Sequence, residues 1–283
     1  MSEEGKERVS ILQQFTLEGK TAVVTGGAGL LGAEFCRTLA EAGAKIAIAD
    51  LDAVKAEKIA KNLCELGFRV VAIKTDVTSR ESVHEMVHKI VEEYGQLDIL
   101  VNSAAMDPKF DHNSRLDLHE LSTSFEDYPL EDWEQALNVN LTGAFLCCQA
   151  AVKPMLSQGS GVIVNVSSIY GLTGPDQRIY RQNDVQTEFK PVYYSVSKAG
   201  ILGLTRYLAT YYAGSNIRVN ALTPGGVFNK HDDDFVQAYS SRAVLGRMAE
   251  KEEMNGALLF LVSNASSYMT GANLIVDGGW TAW

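Results

Sequence analysis

The chain has 283 residues, enough for one large α/β domain or two small ones around a sizeable core. Hydrophobic residues make up 46% and charged residues 21%, which excludes a disordered or low-complexity body. The net charge is −10 and the lysines and arginines are dispersed, which excludes the basic footprint of a nucleic-acid binder.

Residues 1–16 read as a charged N-terminal extension and 17–283 as a single domain. Met1–Gln14 lacks the apolar stretch and small-residue cleavage site of a signal peptide. No apolar run reaches bilayer-spanning length, so a cytoplasmic protein without a membrane partner is expected. Cys36, Cys64, Cys147 and Cys148 suit neither a disulfide framework nor a zinc site, and reduced, mostly buried thiols are expected.

In chain order, Thr21–Thr25 reads as the first strand, followed by a Gly-rich turn and a helix from about Leu31 to Glu41 that Gly43 stops. Strand Lys45–Asp50, helix Ala53–Leu66, strand Arg69–Thr75, helix Ser79–Tyr94 and strand Leu97–Asn102 complete the first half. The second half repeats the rhythm with a helix over Leu130–Leu156, strand Gly161–Ser167, helix Tyr193–Tyr212, strand Asn216–Leu222, a helix near Lys251–Val262 and strand Asn273–Val276. This alternation predicts an α/β, Rossmann-like doubly wound sheet of seven mainly parallel strands, its near-continuous apolar runs covered by helices on both faces. Two polar segments, Met106–Tyr128 and Pro175–Lys190, break the rhythm just after predicted strands, where open α/β sheets bind ligands.

Thr25-Gly-Gly-Ala-Gly-Leu-Leu-Gly32 lies between the first strand and the first helix, so its N–H groups can meet a pyrophosphate. Asp50 ends the next strand, about 20 residues on, where a carboxylate can accept hydrogen bonds from the adenosine ribose. It would repel a ribose phosphate, and no Arg or Lys stands beside it, so NAD is the expected cofactor. Tyr194 and Lys198, four residues apart, share one helix face. A free phenol titrates near ~10, and a neighbouring ammonium with an oxidised nicotinamide is expected to bring Tyr194 toward the working range as the acid/base. Taken alone, the pair also fits an exposed helix face, and Asp50 a plain strand-end carboxylate.

Together these residues resemble the short-chain dehydrogenase/reductase family over nearly the whole chain from about Leu17. Leu30 stands where the family's Thr-Gly-x-x-x-Gly-x-Gly turn has its middle Gly, with Gly29 one residue earlier. Thr75-Asp76-Val77 is similar to the family's adenine segment, Asn102-Ser-Ala-Ala105 to its Asn-Asn-Ala-Gly, and Pro224-Gly225-Gly226-Val227 to its nicotinamide-side turn. Asn229 replaces a frequent Thr there, and Val276-Asp277-Gly278-Gly279 also matches. The resemblance implies a cofactor set of Gly26, Gly29, Leu30, Leu31, Asp50, Leu51, Asp76, Val77, Asn102, Ala104, Pro224, Gly225 and Val227, with Tyr194 and Lys198 reaching the nicotinamide ribose side. It also implies Ser168, rather than Ser167, as the hydroxyl that bonds the substrate oxygen. Asn140 is implied to hold a helix distortion and a relay water. The implied reaction interconverts a secondary alcohol and a ketone by hydride transfer in a homotetramer or homodimer paired through the helices starting near Leu130 and Tyr193.

Arg178, Arg181 and Lys190 in one long segment, and Lys109, His112, Arg115 and His119 in the other, suggest an anionic or polyhydroxylated substrate such as a sugar phosphate or nucleotide sugar. Solvated loop charges explain them equally well. The Gly29–Gly32 turn and Asp107-Pro-Lys-Phe110 resemble family members of bacterial surface-sugar and flagellin modification. Two rival readings are a catalytically silent NAD-binding scaffold of the same fold and, through His84-Glu-Met-Val-His88, a zinc protease. The second is disfavoured because Val83, Met86, Val87, Ile90 and Val91 form that helix's apolar stripe and turn the histidines outward, so no metal is expected.

Overall fold

Apolar runs with both faces buried pair most readily with one another, and seven of them build one parallel sheet here. The computed structural model describes residues 10–107, 123–182, 185–186 and 188–283. The strands are β1 (Thr21–Thr25), β2 (Lys45–Asp50), β3 (Val70–Lys74), β4 (Ile99–Asn102), β5 (Gly161–Val166), β8 (Ile217–Pro224) and β9 (Asn273–Val276), ordered β3-β2-β1-β4-β5-β8-β9. All six pairings are parallel, in register Val24↔Ile48 and Val24↔Val101 across the centre. A separate two-stranded hairpin joins β6 (Arg181–Gln182) to β7 (Val185–Gln186).

Helices cover both faces, as the continuous burial of β1 and β4 requires. On one face pack α1 (Leu30–Glu41), α2 (Ala53–Glu65) and α8 (Asn255–Val262), through Phe35, Leu39, Ala60, Leu258 and Leu261. On the other pack α3 (Arg80–Tyr94), α5 (Gly143–Gln158) and α6 (Val192–Tyr211), through Met86, Ile90, Cys147, Met155 and Leu208. Local chemistry sets the ends: the Asp52 carboxylate accepts from Lys55 N at 3.0 Å to start α2, and Gly95 closes α3 in the left-handed region at φ 81°. The order reverses between β1 and β4, which opens a crevice at their carboxyl ends.

Two expectations need correction, both of helix bounds. The helix over Leu130–Leu156 is two helices, α4 (Leu130–Leu137) and α5, separated by a π-helical turn at Asn138–Thr142. Asn140 sits in that turn, at the distortion the resemblance implies. The segment near Lys251–Val262 starts as a 3₁₀ turn over Lys251–Met254 and becomes α-helical only at Asn255. The cysteines are free and mostly buried, as expected: Cys36, Cys147 and Cys148 are buried and Cys64 is exposed.

A short helix, α7 (Asp233–Ser240), escapes the sequence pattern. Asp232 caps it by accepting from Phe235 N at 2.8 Å, and it turns Phe235 and Tyr239 inward. These rings join Ile169, Tyr170, Ile179, Tyr180, Met248 and Trp280 in an aromatic cluster against which Tyr194 packs. Among the described residues no helix is long and apolar enough to cross a membrane.

Candidate active site

The glycines of the first turn are fixed by close backbone approach. A Cβ on Gly26, whose φ is +63°, would lie 2.7 Å from the Cα of Ala104, and one on Gly32 would lie 2.1 Å from the Gly26 carbonyl oxygen. Gly29 is the N-cap of α1 and offers no side chain, so the first N–H groups of a twelve-residue helix face the crevice uncapped. Leu30 opens the helix with its side chain 38% exposed, not folded into the turn, and Leu31 packs partly against the core. The Thr25 hydroxyl ties the turn to the strand beside it by accepting from Ser103 N at 3.2 Å and Ala104 N at 3.3 Å.

Asp50 closes this cradle. Its carboxylate accepts from Ala28 N at 2.9 Å and from Asp52 N at 3.0 Å, and it stays partly exposed at the end of β2 beside the exposed Leu51. An anion pinned beside the uncapped helix end, with bare glycines between, fits the ribose and pyrophosphate of a dinucleotide. The other implied contacts ring the same edge. Asp76 accepts from Thr78 N at 2.9 Å, and Val77 is buried where Gly143 leaves it room. Pro224 ends β8, and Gly225 is packed so that a Cβ would meet Asp277 Cα at 2.7 Å. Val227 bridges to Ala249. Asn102 turns its amide into the sheet, donating to Asn165 Oδ1 at 2.8 Å and Cys148 Sγ at 3.2 Å.

The catalytic candidates converge at the carboxyl ends of β4 and β5. Ser167 donates its hydroxyl to the Lys198 carbonyl at 2.8 Å and is engaged in holding α6. Ser168 accepts from Tyr170 N at 3.2 Å and lies beside the Tyr194 phenol. Lys198 is buried, donates from Nζ to the Val166 carbonyl at 3.0 Å and stands 5.7 Å from the centre of the Tyr194 ring. Asn140, also buried, accepts from Met106 N at 2.6 Å and donates to Met106 O at 3.0 Å and Ser197 Oγ at 3.3 Å. Its side chain clamps the segment after β4 to α6.

Burial dominates the electrostatics of the Tyr194 and Lys198 pair. Burial first, and the Asp107 carboxylate second, push the Tyr194 phenol well above its ordinary range, while the Ser168 hydroxyl pulls the other way. Burial lowers Lys198 to about 8, with the Lys190 charge adding to it and Asp107 opposing.

The basic residues divide. Arg178 is exposed and grips Asp176 with two bonds of 2.8 Å, which holds that carboxyl at about 2, and Arg242 shares the same acid. Arg181 is exposed and donates to Gln186 Oε1 at 3.3 Å. Lys109, His112, Arg115 and His119 lie outside the described residues. Lys190 is instead buried, paired with Asp107, and 4.0 Å from the centre of the Tyr194 ring. Nothing local marked Lys190 out from the other loop cations. On α3, Glu85 is exposed and paired with Lys89 at 2.8 Å, and His88 faces Glu92 at 3.8 Å, which puts the His-Glu-x-x-His run on a solvated face.

The family model described as Enoyl-(Acyl carrier protein) reductase matches residues 27–281. The chain belongs to the short-chain dehydrogenase/reductases. It is similar to the cis-4-hydroxycyclohexanecarboxylate dehydrogenase of Sinomonas cyclohexanicum, 38% identical over 268 residues, 93% of this chain and 97% of that one. It is also similar to the D-threitol dehydrogenase of Mycolicibacterium smegmatis, 34% identical over 280 residues, 97% of this chain and 98% of that one. Among solved structures it is similar to a gluconate 5-dehydrogenase from Burkholderia cenocepacia J2315 in complex with NADP and tartrate, with a TM-score of 0.84, 28% identity and coverage of 97% of this chain and 100% of that one. The short-chain dehydrogenase/reductases act on alcohols and ketones with a nicotinamide cofactor, and this chain is an oxidoreductase of that kind. Asn165 and Thr205 are structural residues of the site that motif reading passed over: Asn165 Nδ2 donates to Thr205 Oγ1 at 2.9 Å and links Asn102 to α6.

Proposed function

We propose that the protein oxidises a secondary alcohol to a ketone, or reduces the ketone, with NAD, and that the alcohol is anionic or polyhydroxylated. The observation that carries this reading is the Tyr194 phenol set beside the Ser168 hydroxyl, with two buried ammonium groups over its ring. Asp50 supports NAD, since its carboxylate lies where a ribose phosphate would sit, and the described contacts give it no cationic partner. A sugar phosphate or nucleotide sugar falls within the substrate class.

Gly26, Gly29, Gly32 and Asp50 would hold the dinucleotide's pyrophosphate and ribose, Pro224–Val227 its nicotinamide side. When bound, the cofactor accepts or supplies the hydride. Ser168 hydrogen-bonds the substrate oxygen as charge develops on it. Tyr194 takes the hydroxyl proton during oxidation and returns it during reduction, and the Lys198 ammonium stabilises the phenolate between. Asn140 keeps the segment after β4 docked on α6 so that this geometry holds. Exposed Phe145 and Leu156 on α5, with Tyr207 and Tyr211 on α6, support pairing of these helices in a homodimer or homotetramer.

The test is NADH formation with a panel of secondary alcohols. Tyr194→Phe is expected to lower turnover by about a thousandfold while NAD binding, read by fluorescence quenching, is unchanged. Cofactor binding without turnover of any alcohol would leave the silent scaffold as the better reading.

A further inference from the structure

Lys190 is the one described cation of the long segment before α6 that is buried, and its ammonium lies closer to the Tyr194 ring than that of Lys198, 4.0 Å against 5.7 Å. Its main chain is held from both sides: Lys190 N donates to Gln177 Oε1 at 2.8 Å and Gln177 Nε2 donates to Lys190 O at 3.1 Å. Gln177 is itself tied down, its carbonyl accepting from Gln186 Nε2 at 2.8 Å, and Pro191 follows as the N-cap of α6. The ammonium is therefore placed by the fold rather than by a flexible loop.

Its counter-ion is placed differently. The Asp107 side chain is 51% exposed, against 6% for that of Lys190. A buried ammonium needs a compensating anion, whereas a half-exposed carboxylate loses little by turning to water. Such a pair can exchange partners: an incoming anion takes the place of Asp107 and Lys190 stays neutralised. The other described cations of this segment lack that freedom, since Arg178 is held by Asp176 and Arg181 stands exposed on the hairpin. Lys198 and His231 also feel the Lys190 and Asp107 charges, so the pair sits within one cluster of charge around the phenol.

We propose that Lys190 is a substrate-positioning residue whose ammonium binds an anionic oxygen group on the alcohol, a carboxylate or a phosphate, displacing Asp107. This rests on the dehydrogenase reading above and deepens it by naming what the substrate carries besides its hydroxyl. An anion on Lys190 and a hydroxyl on Tyr194 lie within the span of one small molecule, so the pair sets which carbinol faces the nicotinamide.

The experiment measures kcat and KM with NAD for cis-4-hydroxycyclohexanecarboxylate against its methyl ester, and for a sugar phosphate against the free sugar. Whichever anion is preferred names the source. Lys190→Met is expected to lower the preference for the anionic member by about ten- to a hundredfold, chiefly through KM, and Lys190→Arg to restore part of it. Asp107→Asn is expected to move KM for the anionic member downward, because the competing carboxylate is gone. A pair that serves only to staple the loop gives losses in the same direction for both variants and an unchanged anion-to-neutral ratio, which overturns the proposal. Calorimetric binding of cyclohexanecarboxylate, which has no hydroxyl to oxidise, to the protein with NAD separates the two readings. Binding that Lys190→Met abolishes, without turnover of any alcohol, sinks the dehydrogenase reading and keeps the anion site. Binding that Lys190→Met leaves unchanged sinks the anion site.

Discussion

The two regions that we assign to the cofactor and to the substrate are built on different principles. The cofactor side starts from one contiguous stretch, β1 through Asp50, where single atoms decide: a Cβ at Gly32 would lie 2.1 Å from the Gly26 carbonyl oxygen. The substrate side is assembled from Asp107, Ser168–Tyr180, Lys190, His231–Met248 and Trp280, packed mostly as aromatic rings, such as Tyr239 on Trp280 at 4.3 Å between centroids. The first region reads a ligand through backbone N–H groups, which every chain possesses. The second reads it through side chains, which can be exchanged. On the proposed reading, the side chains that would choose the alcohol thus come from segments outside the glycine cradle.

The sharpest way to break that contrast is Lys198, which belongs to both sides. Lys198→Met is expected to cut kcat/KM by about a thousandfold or more. The fold should nevertheless gain stability. The folded chain releases the Lys198 proton at about 8 and the unfolded chain only near the ordinary 10.5, so its burial costs stability fully below pH 8 and progressively less above. Urea denaturation of Lys198→Met should show a gain on the order of 2 kcal/mol at pH 7 and a smaller one at pH 10. A loss at both values contradicts the charge argument.

Gly32→Ala tests the cofactor side alone. A methyl forced against the Gly26 carbonyl is expected to cost roughly 3 kcal/mol of stability and to weaken NAD binding strongly, read by urea midpoint and cofactor titration. An unaltered midpoint would show that the turn relaxes and that its geometry is not what selects glycine.

Asp50→Asn should have a smaller effect, about a tenfold shift of the kcat/KM ratio from NAD toward NADP, with substrate KM little changed. If the substrate constants shift instead, the separation between the two sides fails. The least dramatic effect is the pH profile. Burial and Asp107 hold the Tyr194 phenol high, so the rate of alcohol oxidation should climb with pH from neutrality into the alkaline range, while ketone reduction, which uses the protonated phenol, stays level and then falls. A flat oxidation profile would contradict this. Asp107→Asn should shift the climb to lower pH.

The resemblance carried by Thr25–Gly32, Asp50, Ser168, Tyr194 and Lys198 is legible in the amino-acid order because each depends on spacing along a strand, a turn or one helix face. The layered, parallel architecture follows from the same periodicity, since apolar runs alternating with helical segments have few ways to be covered on both sides, whereas the strand order is seen only in the tertiary structure. The break inside Leu130–Leu156 is readable only as the neighbour of Asn140, because a π turn leaves the apolar periodicity of its flanks intact. Short α7 is invisible for a related reason: eight residues carry too few turns to print a period, and packing of Phe235 and Tyr239 supplies what propensity does not.

By itself, the sequence determined the family and the layered α/β fold, and it pointed to the proposed glycine cradle and proton-transfer tyrosine, because these depend on local geometry and fixed spacing. Only the tertiary structure decided which loop cation is buried. Arg178, Arg181 and Lys190 look alike as charges in one polar segment, and their burial and partners depend on Asp176, Gln186 and Asp107 brought in by the fold. A charge acquires its meaning from the solvent it has lost and the counter-ion it has met, and neither is written in its own neighbourhood of the chain.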